Sequence, residues 1–312
     1  MTTILVLGGT GMLGSMVADF LSRQPEYTVT ATARRPGLSA EMSARLPQVR
    51  WVSFDAGADF EQALAAAGRH NWIINAIGIT KPLIRDDNPS EIEAAVRVNI
   101  LLPHAIGRHA RACGSRVLQI ATDCVYSGAR GAYVETDSHD ALDVYGKTKS
   151  LGECYHPAVH HLRCSIIGPE PKDYKFLLEW FRRQPPAAQL RGFTNHQWNG
   201  VTTLQFARIC SGVIAGDLEL PHLQHVVPSG SVSKARMLRD FAAAWKRTDL
   251  RIADVEAPAI VDRTLATINP GLNASLWRAA GYVEPPGVPD MIAELAACEY
   301  RPAGISGAVT QR

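Results

Sequence analysis

Ile4-Leu5-Val6-Leu7-Gly8-Gly9-Thr10-Gly11-Met12-Leu13-Gly14 passes from a short apolar run through a glycine turn into Met12 to Leu21, a segment with helical spacing. Gly8, Gly11 and Gly14 fall at GxxGxxG spacing. In a strand–turn–helix context each glycine has a task. The first permits a tight turn, the next lets the backbone approach a pyrophosphate, and the third lets helix pack on strand. The helix start then offers free N–H groups and the positive end of its dipole to phosphate. An ordinary glycine turn could carry the same letters. The position at the first strand–helix junction is what points to a dinucleotide.

The same alternation continues outward. Strand-like runs stand at Tyr27 to Ala33, Val49 to Phe54, Trp72 to Asn75, Val117 to Ala121 and His161 to Ile167. Helical patterns stand between them at Phe60 to Ala67, Glu91 to Ala112, with Pro103 expected to kink it, and Ala141 to Tyr155. Strands alternating with helices imply βαβ units and an α/β fold, a Rossmann-type doubly wound parallel sheet. After Gly168 prolines interrupt the pattern. Helices are expected at Lys175 to Arg183, Thr203 to Ile214, Lys234 to Lys246 and Pro289 to Cys298. The division expected is a nucleotide-binding domain over 1–168 and a smaller substrate-binding region over 169–312, with some of its segments packing back on the first. From about Arg301 the chain reads as a loose tail.

Tyr145-Gly-Lys-Thr-Lys149 sets a phenol and an ammonium four residues apart, one turn apart on a helix face. A phenol with a pKa of about 10 exchanges protons poorly at neutral pH. A nearby ammonium is expected to lower that value, so that the pair can trade a proton with a carbonyl or alcohol. Thr122, where the fifth strand run ends, can reach the same oxygen, because ligands of open α/β sheets bind at the carboxyl ends of strands. At the end of the second strand run, where an acidic residue would hold the ribose hydroxyls of NAD, stand Arg34 and Arg35. Their planar, permanently charged forks suit a 2′-phosphate, so NADPH is the expected cofactor.

The 312 residues are 46% hydrophobic and 20% charged, with net charge +2. Basic residues are scattered, which argues against a nucleic-acid partner. Six cysteines, at 113, 124, 154, 164, 210 and 298, form no CxxC or metal-ligand spacing, so no metal is expected and the thiols read as packing in a reducing compartment. Neither a signal-peptide pattern nor an apolar run of about 18 residues is present, so the expected location is the cytoplasm, off the membrane.

Taken together, Gly8 to Gly14, Asn75-Ala76-Ile77-Gly78, Val98-Asn99, Thr122-Asp123-Cys124-Val125-Tyr126-Ser127-Gly128, Tyr145 to Lys149, Asp262-Arg263 and Gly281-Tyr282 resemble the extended short-chain dehydrogenase/reductase family. Within it the chain looks most like the dTDP-4-dehydrorhamnose reductase branch of nucleotide-sugar reductases. The resemblance implies a triad of Thr122, Tyr145 and Lys149, with Asp123 assisting proton supply. It implies that Gly8, Thr10, Gly11, Met12, Leu13 and Gly14 line the pyrophosphate and that Asp55 reaches the adenine. Ala76, Ile77 and Gly78 would pack along the cofactor, and Asn99 would hold the site's geometry. It implies an NADPH-dependent reductase of a 4-keto nucleotide sugar in deoxysugar or surface polysaccharide synthesis, and it admits a homodimer. Cys124 stands where the branch usually has Tyr, and Leu162 to Gly168 replaces a proline-containing segment.

In the second half, Arg191 to Thr202 is rich in aromatic and polar residues. Phe193, His196 and Trp198 are candidates to stack on and hydrogen-bond a sugar. Lys81, Lys175 and Arg263 are candidates to meet its diphosphate. Two other readings compete. An epimerase or dehydratase of the same fold would retain its cofactor. A nucleotide-binding regulatory subunit would have kept the fold without the chemistry.

Overall fold

The computed structural model describes residues 1–304. One sheet of seven parallel strands forms its centre. Along the chain these are β1 (Thr2–Leu7), β2 (Tyr27–Ala33), β3 (Arg50–Ser53), β4 (Trp72–Asn75), β5 (Arg116–Ala121), β6 (Val159–Arg163) and a seventh, Leu223–His225. In space the order is Leu223–His225, β6, β5, β4, β1, β2, β3. The chain builds outward from β1 to β3, then returns to β4 on the other side of β1, so the carboxyl ends of β1 and β4 flank a crevice. This is the doubly wound Rossmann-type sheet expected from the sequence.

The helices are α1 (Met12–Leu21), α2 (Pro36–Arg45), α3 (Phe60–Ala67), α4 (Pro89–Ala95), α5 (Leu102–Cys113), α6 (Val144–Leu151), α7 (Leu177–Arg182), α8 (Thr203–Ala215), α9 (Lys234–Ala244), α10 (Pro270–Ala279) and α11 (Val288–Ala297). β1 is apolar from Ile4 onward, and its packing shows why. Ile4 and Val6 join Met16 and Val17 of α1 and Phe206 and Val213 of α8 in one core, while Leu5 and Leu7 join Leu64 of α3 and Ile106 of α5 in another. A strand covered on both faces has no polar side.

Several expectations are corrected. Pro103 does not kink one long helix. Its first turn opens α5 after a wide π turn over Val96–Leu101. Proline has no N–H to give the carbonyl of Asn99, four residues back, and the wider turn is where that missing bond is absorbed. The sixth strand stops at Arg163. Ile166–Ile167 forms a separate short strand paired in parallel with Val201–Thr202. α2 and α10 were not expected, since each begins Pro-Gly and α2 buries only Met42, leaving little apolar periodicity to read. Arg301 does not begin a loose tail, because its Nε donates to Asp19 Oδ1 at 2.6 Å and the neighbouring Tyr300 hydroxyl meets Ser15 Oγ at 2.6 Å. The rest of that expected tail, from 305, lies outside the described residues.

Beyond Gly168 other segments also rejoin the main body. α8 packs on α1, and Leu223–His225 pairs with β6. The remaining strands are small. Gln189–Phe193 pairs with Arg251–Val255, and His196–Trp198 lies between Val232–Ser233 and Val261–Asp262. Among the described residues no helix is long and apolar enough to cross a membrane.

Candidate active site

The glycine turn sits at the crevice. Gly8 has φ +82°, a left-handed conformation that glycine adopts without steric cost, and its N–H donates to Thr32 Oγ1 of β2 at 2.9 Å. Gly14 lies against the turn so closely that a Cβ there would stand 2.2 Å from the Gly8 carbonyl oxygen. α1 is capped by Gly11, with no side chain bonded over its first N–H groups. The start of α1 therefore presents backbone donors with nothing of the protein's own on top.

From there a cavity of about 370 Å³ runs along the carboxyl ends of β1, β4 and β5. Gly11, Met12 and Leu13 line one end, and Ala76, Ile77 and Gly78 one wall. Thr122, Asp123, Cys124, Tyr145 and Lys149 line the other end, faced by Trp198 and Lys234 from the second half of the chain.

Each polar group at that end has a local reason for its place. Thr122 directly follows β5 and its Oγ1 accepts from the Cys124 N–H at 3.1 Å, capping the short turn Asp123–Val125. The same hydroxyl donates to Asp123 Oδ1 at 3.2 Å. Asp143 caps α6 by accepting from the Gly146 N–H at 2.9 Å, which starts the helix just before Tyr145. One turn on, Lys149 Nζ donates to the Ile120 carbonyl at 3.3 Å.

Behind this end lies a buried ion pair. Arg163, wholly buried, donates to Glu153 at 2.9 Å, to the Thr122 carbonyl at 2.9 Å, and meets His139 Nε2 at 3.0 Å. Arg163 thus fixes the backbone that presents Thr122. Asn99 has a similar role on the other wall. Its Oδ1 accepts from the Ile79 N–H and its Nδ2 donates to the Ile79 carbonyl, both at 2.9 Å, and to Thr148 Oγ1 at 3.2 Å. It does not line the cavity; it ties the loop after β4 to α6.

The electrostatics reverse one expectation. Tyr145 is held well above the ordinary phenol value, chiefly because it is buried, with Cys124 and Asp123 adding to the effect and a hydrogen bond from Thr122 opposing it. The lowering expected from Lys149 does not prevail, because desolvation of a phenolate at this depth is the larger cost. Burial acts on Lys149 in the other sense, pushing it down to about 8 against the pull of Glu153. Burial and the neighbouring Asp123 push the Cys124 thiol up to about 12. At neutral pH the site therefore holds a protonated phenol, a protonated thiol and a largely cationic Lys149.

Other candidates do not line the cavity. Lys81 is exposed and pairs with Asp143 at 2.8 Å. Phe193 and His196 pack on each other with ring centroids 4.9 Å apart, and His196 Nε2 contacts the Ala259 carbonyl at 3.0 Å, so of that segment only Trp198 reaches the cavity. Asp55 accepts from the Gly57 N–H at 2.9 Å in its own turn. Arg34 and Arg35 are exposed just past β2. Arg263 Nε donates to the Tyr126 carbonyl at 2.8 Å.

Lys234 was missed as a site residue, although the sequence held a signal. It opens α9 directly after the capping Ser233, and a cation in the first turn of a helix opposes the helix dipole.

A family model described as the RmlD substrate binding domain matches residues 1–294. Over 150 residues the chain is 26% identical to methionine adenosyltransferase 2 subunit beta of Mus musculus, covering 48% of this chain and 41% of that protein. It is 29% identical over 155 residues to dTDP-4-dehydrorhamnose reductase of Aggregatibacter actinomycetemcomitans, covering 49% and 46%. The chain thus spans under half the length of these curated relatives. A crystal structure of dTDP-4-dehydrorhamnose reductase from Bacillus anthracis in complex with NADP superposes with a TM-score of 0.70 at 16% identity, over 95% of this chain and 98% of that one. That likeness shows the shared fold.

Proposed function

The chain belongs to the RmlD substrate binding domain family, and on that premise we propose that it is an NADPH-dependent reductase of a 4-keto nucleotide sugar. The observation that carries the reading is one cavity holding both the uncapped start of α1 and the Thr122–Tyr145–Lys149 cluster. The residues fit a nicotinamide dinucleotide. Gly14 lets α1 close onto the Gly8 turn, whose shape a Cβ at Gly14 would force to change, and the N–H groups at the start of α1 are free to take a pyrophosphate. When bound, that cofactor supplies the hydride.

The chain's own groups do the rest. Thr122 Oγ1 orients and polarises the ketone oxygen. Tyr145, kept protonated by its burial, gives that oxygen a proton from its hydroxyl as the carbon is reduced. Lys149, cationic below about pH 8, holds ribose hydroxyls and supports the phenolate that remains. Trp198 offers an indole face to the sugar ring. Arg34 and Arg35, exposed where β2 ends, are the groups to meet a 2′-phosphate.

The similarity to a protein named as a subunit supports a second reading, a nucleotide-binding subunit without turnover of its own. One experiment separates the two. The purified protein is given NADPH and a panel of 4-keto nucleotide sugars while absorbance at the NADPH band is followed. The reductase reading requires consumption with at least one sugar and its loss in Tyr145→Phe, with cofactor still bound by the variant. Cofactor binding without consumption across the panel supports the subunit reading.

A further inference from the structure

Among the described residues two cations line the cavity, Lys149 and Lys234. Lys149 donates to the Ile120 carbonyl and has a task, the cofactor's ribose. Lys234 has neither. Among the described residues its ammonium donates no hydrogen bond and joins no salt bridge. It stands over the Trp198 ring, with Nζ 5.7 Å from the centre, near the outer limit of a cation–π contact. It is also the first residue of α9, at the positive end of that helix's dipole. Little in the cavity balances this charge. Asp123 is the one carboxylate among the lining residues, and its Oδ1 already takes the Thr122 hydroxyl and the Cys124 thiol. Asp123 and Cys124 favour the ammonium and Arg263 opposes it, and burial outweighs them, so the Lys234 pKa is lowered. A desolvated cation with no partner is costly unless a ligand supplies the missing anion.

We infer that the sugar this site takes carries a carboxylate, and that Lys234 is the residue that selects it. The inference rests on the nucleotide-sugar reading above and narrows it to uronic acids, as against neutral or deoxy sugars. The cofactor's pyrophosphate belongs at the start of α1, the opposite end of the cavity, so it is not the anion that Lys234 meets. The reacting carbonyl must reach Thr122 and Tyr145, which places the sugar ring at the end that Lys234 and Trp198 face. A carboxylate fits the local charge. It brings one negative charge, matched by one ammonium, whereas a phosphate ester brings nearly two and sets them beside Asp123. The same lysine acts against a neutral sugar, because that ligand would seal the ammonium from water and give it no anion.

The test reads binding and does not depend on turnover. Protein loaded with NADP+ is titrated by calorimetry with UDP-glucuronic acid and UDP-glucose, which differ in a carboxylate against a hydroxymethyl group, and with their thymidine counterparts. In the series that binds, the acidic sugar should bind roughly 10- to 100-fold tighter, as for a charge-assisted hydrogen bond. Lys234→Met should bring the two sugars within about threefold of each other, and Lys234→Arg, which keeps the charge, should retain most of the preference. UDP or dTDP without a sugar should bind wild type and Lys234→Met alike. Thermal unfolding and NADPH titration check that each variant is folded. Equal affinity of the two sugars in the wild type would overturn the inference, as would a preference that survives Lys234→Met. So would a loss of nucleotide affinity in Lys234→Met as large as the loss for the acidic sugar, which would put the lysine on the diphosphate. In each of these cases, consumption of NADPH with a neutral 4-keto sugar leaves the reductase reading standing. A protein that binds no member of either series and consumes NADPH with none of the 4-keto sugars removes both readings.

Discussion

Glu153→Gln removes one charge from a nearly water-free pair and leaves its volume in place. Arg163 is 0% exposed and the Glu153 side chain 9%, with 2.9 Å between them. Deleting one partner of such a pair strands the other charge in a low-dielectric interior, which costs about 3–5 kcal/mol. The other contacts of Arg163, the Thr122 carbonyl and a neutral His139, cannot replace a carboxylate, since burial and the Arg163 charge hold His139 down to about 4. At about 2–4 °C per kcal/mol, the melting temperature should fall on the order of 10 °C. The second effect is functional. Glu153 is the group that pulls the Lys149 pKa upward against burial, so without it Lys149 falls below about 8. NADPH affinity should then weaken at lower pH than in the wild type, because the cationic form proposed above to hold ribose hydroxyls is lost earlier as pH rises. Differential scanning calorimetry gives the first quantity, and fluorescence titration of NADPH from pH 6.5 to 9.5 gives the second. Glu153→Leu with Arg163→Met, which removes both charges, should regain most of the stability. A shift under about 2 °C together with an unmoved alkaline limb would refute the account of this pair.

Arg34→Ala with Arg35→Ala should weaken NADPH by roughly 10- to 100-fold and leave NADH little changed, as expected for charge-assisted bonds worth about 1.5–3 kcal/mol; equal affinities in the wild type would remove the basis for the arginines' role. Gly14→Ala forces a Cβ to within 2.2 Å of the Gly8 oxygen, so the turn must shift, at a cost of about 1–3 kcal/mol in stability and with weaker cofactor binding. His161, pushed down to about 3 by burial, is neutral in the fold and takes a proton on unfolding below its ordinary value of 6.5. Its folded pKa is the lower one, so stability rises with pH between these limits and is lost on acidification, by about 2 kcal/mol at pH 5. Urea unfolding at pH 7.5 and pH 5, in wild type and His161→Gln, should show the difference shrinking in the variant.

The sheet was legible because buried parallel strands carry continuous apolar runs, as residues 4–7 and 72–74 do, and because glycines mark the first turn. The clustering of Thr122, Tyr145 and Lys149 also followed from topology, since strand ends and the helix after β5 must meet there. What was not legible depended on contacts between distant segments. Trp198 and His196 are two residues apart and so share a face of their strand, yet only Trp198 meets the cavity, because His196 is taken up by the Ala259 carbonyl. The direction of the Tyr145 shift depended on burial depth, which no spacing reveals. Arg163 could be read as a strand residue but not as the support behind Thr122, because Glu153 reaches it only once α6 is docked. Lys234 gave a local signal, a cation at the wrong end of a helix, whose meaning emerged only with the opposite wall in place.

The return of Leu223–His225 to the central sheet has a consequence for how the chain is made. Sixty residues separate Arg163, the end of β6, from Leu223, the start of the strand that covers its edge. At roughly 5–20 residues per second, synthesis leaves β6 with an open row of N–H and C=O groups for about 3–12 seconds. In that interval the apolar side of α1 that α8 later covers is also bare. The nascent first half thus exposes an edge at which chaperones or neighbouring chains on the same messenger can pair. Any fragment ended between β6 and Leu223 would make that transient exposure permanent.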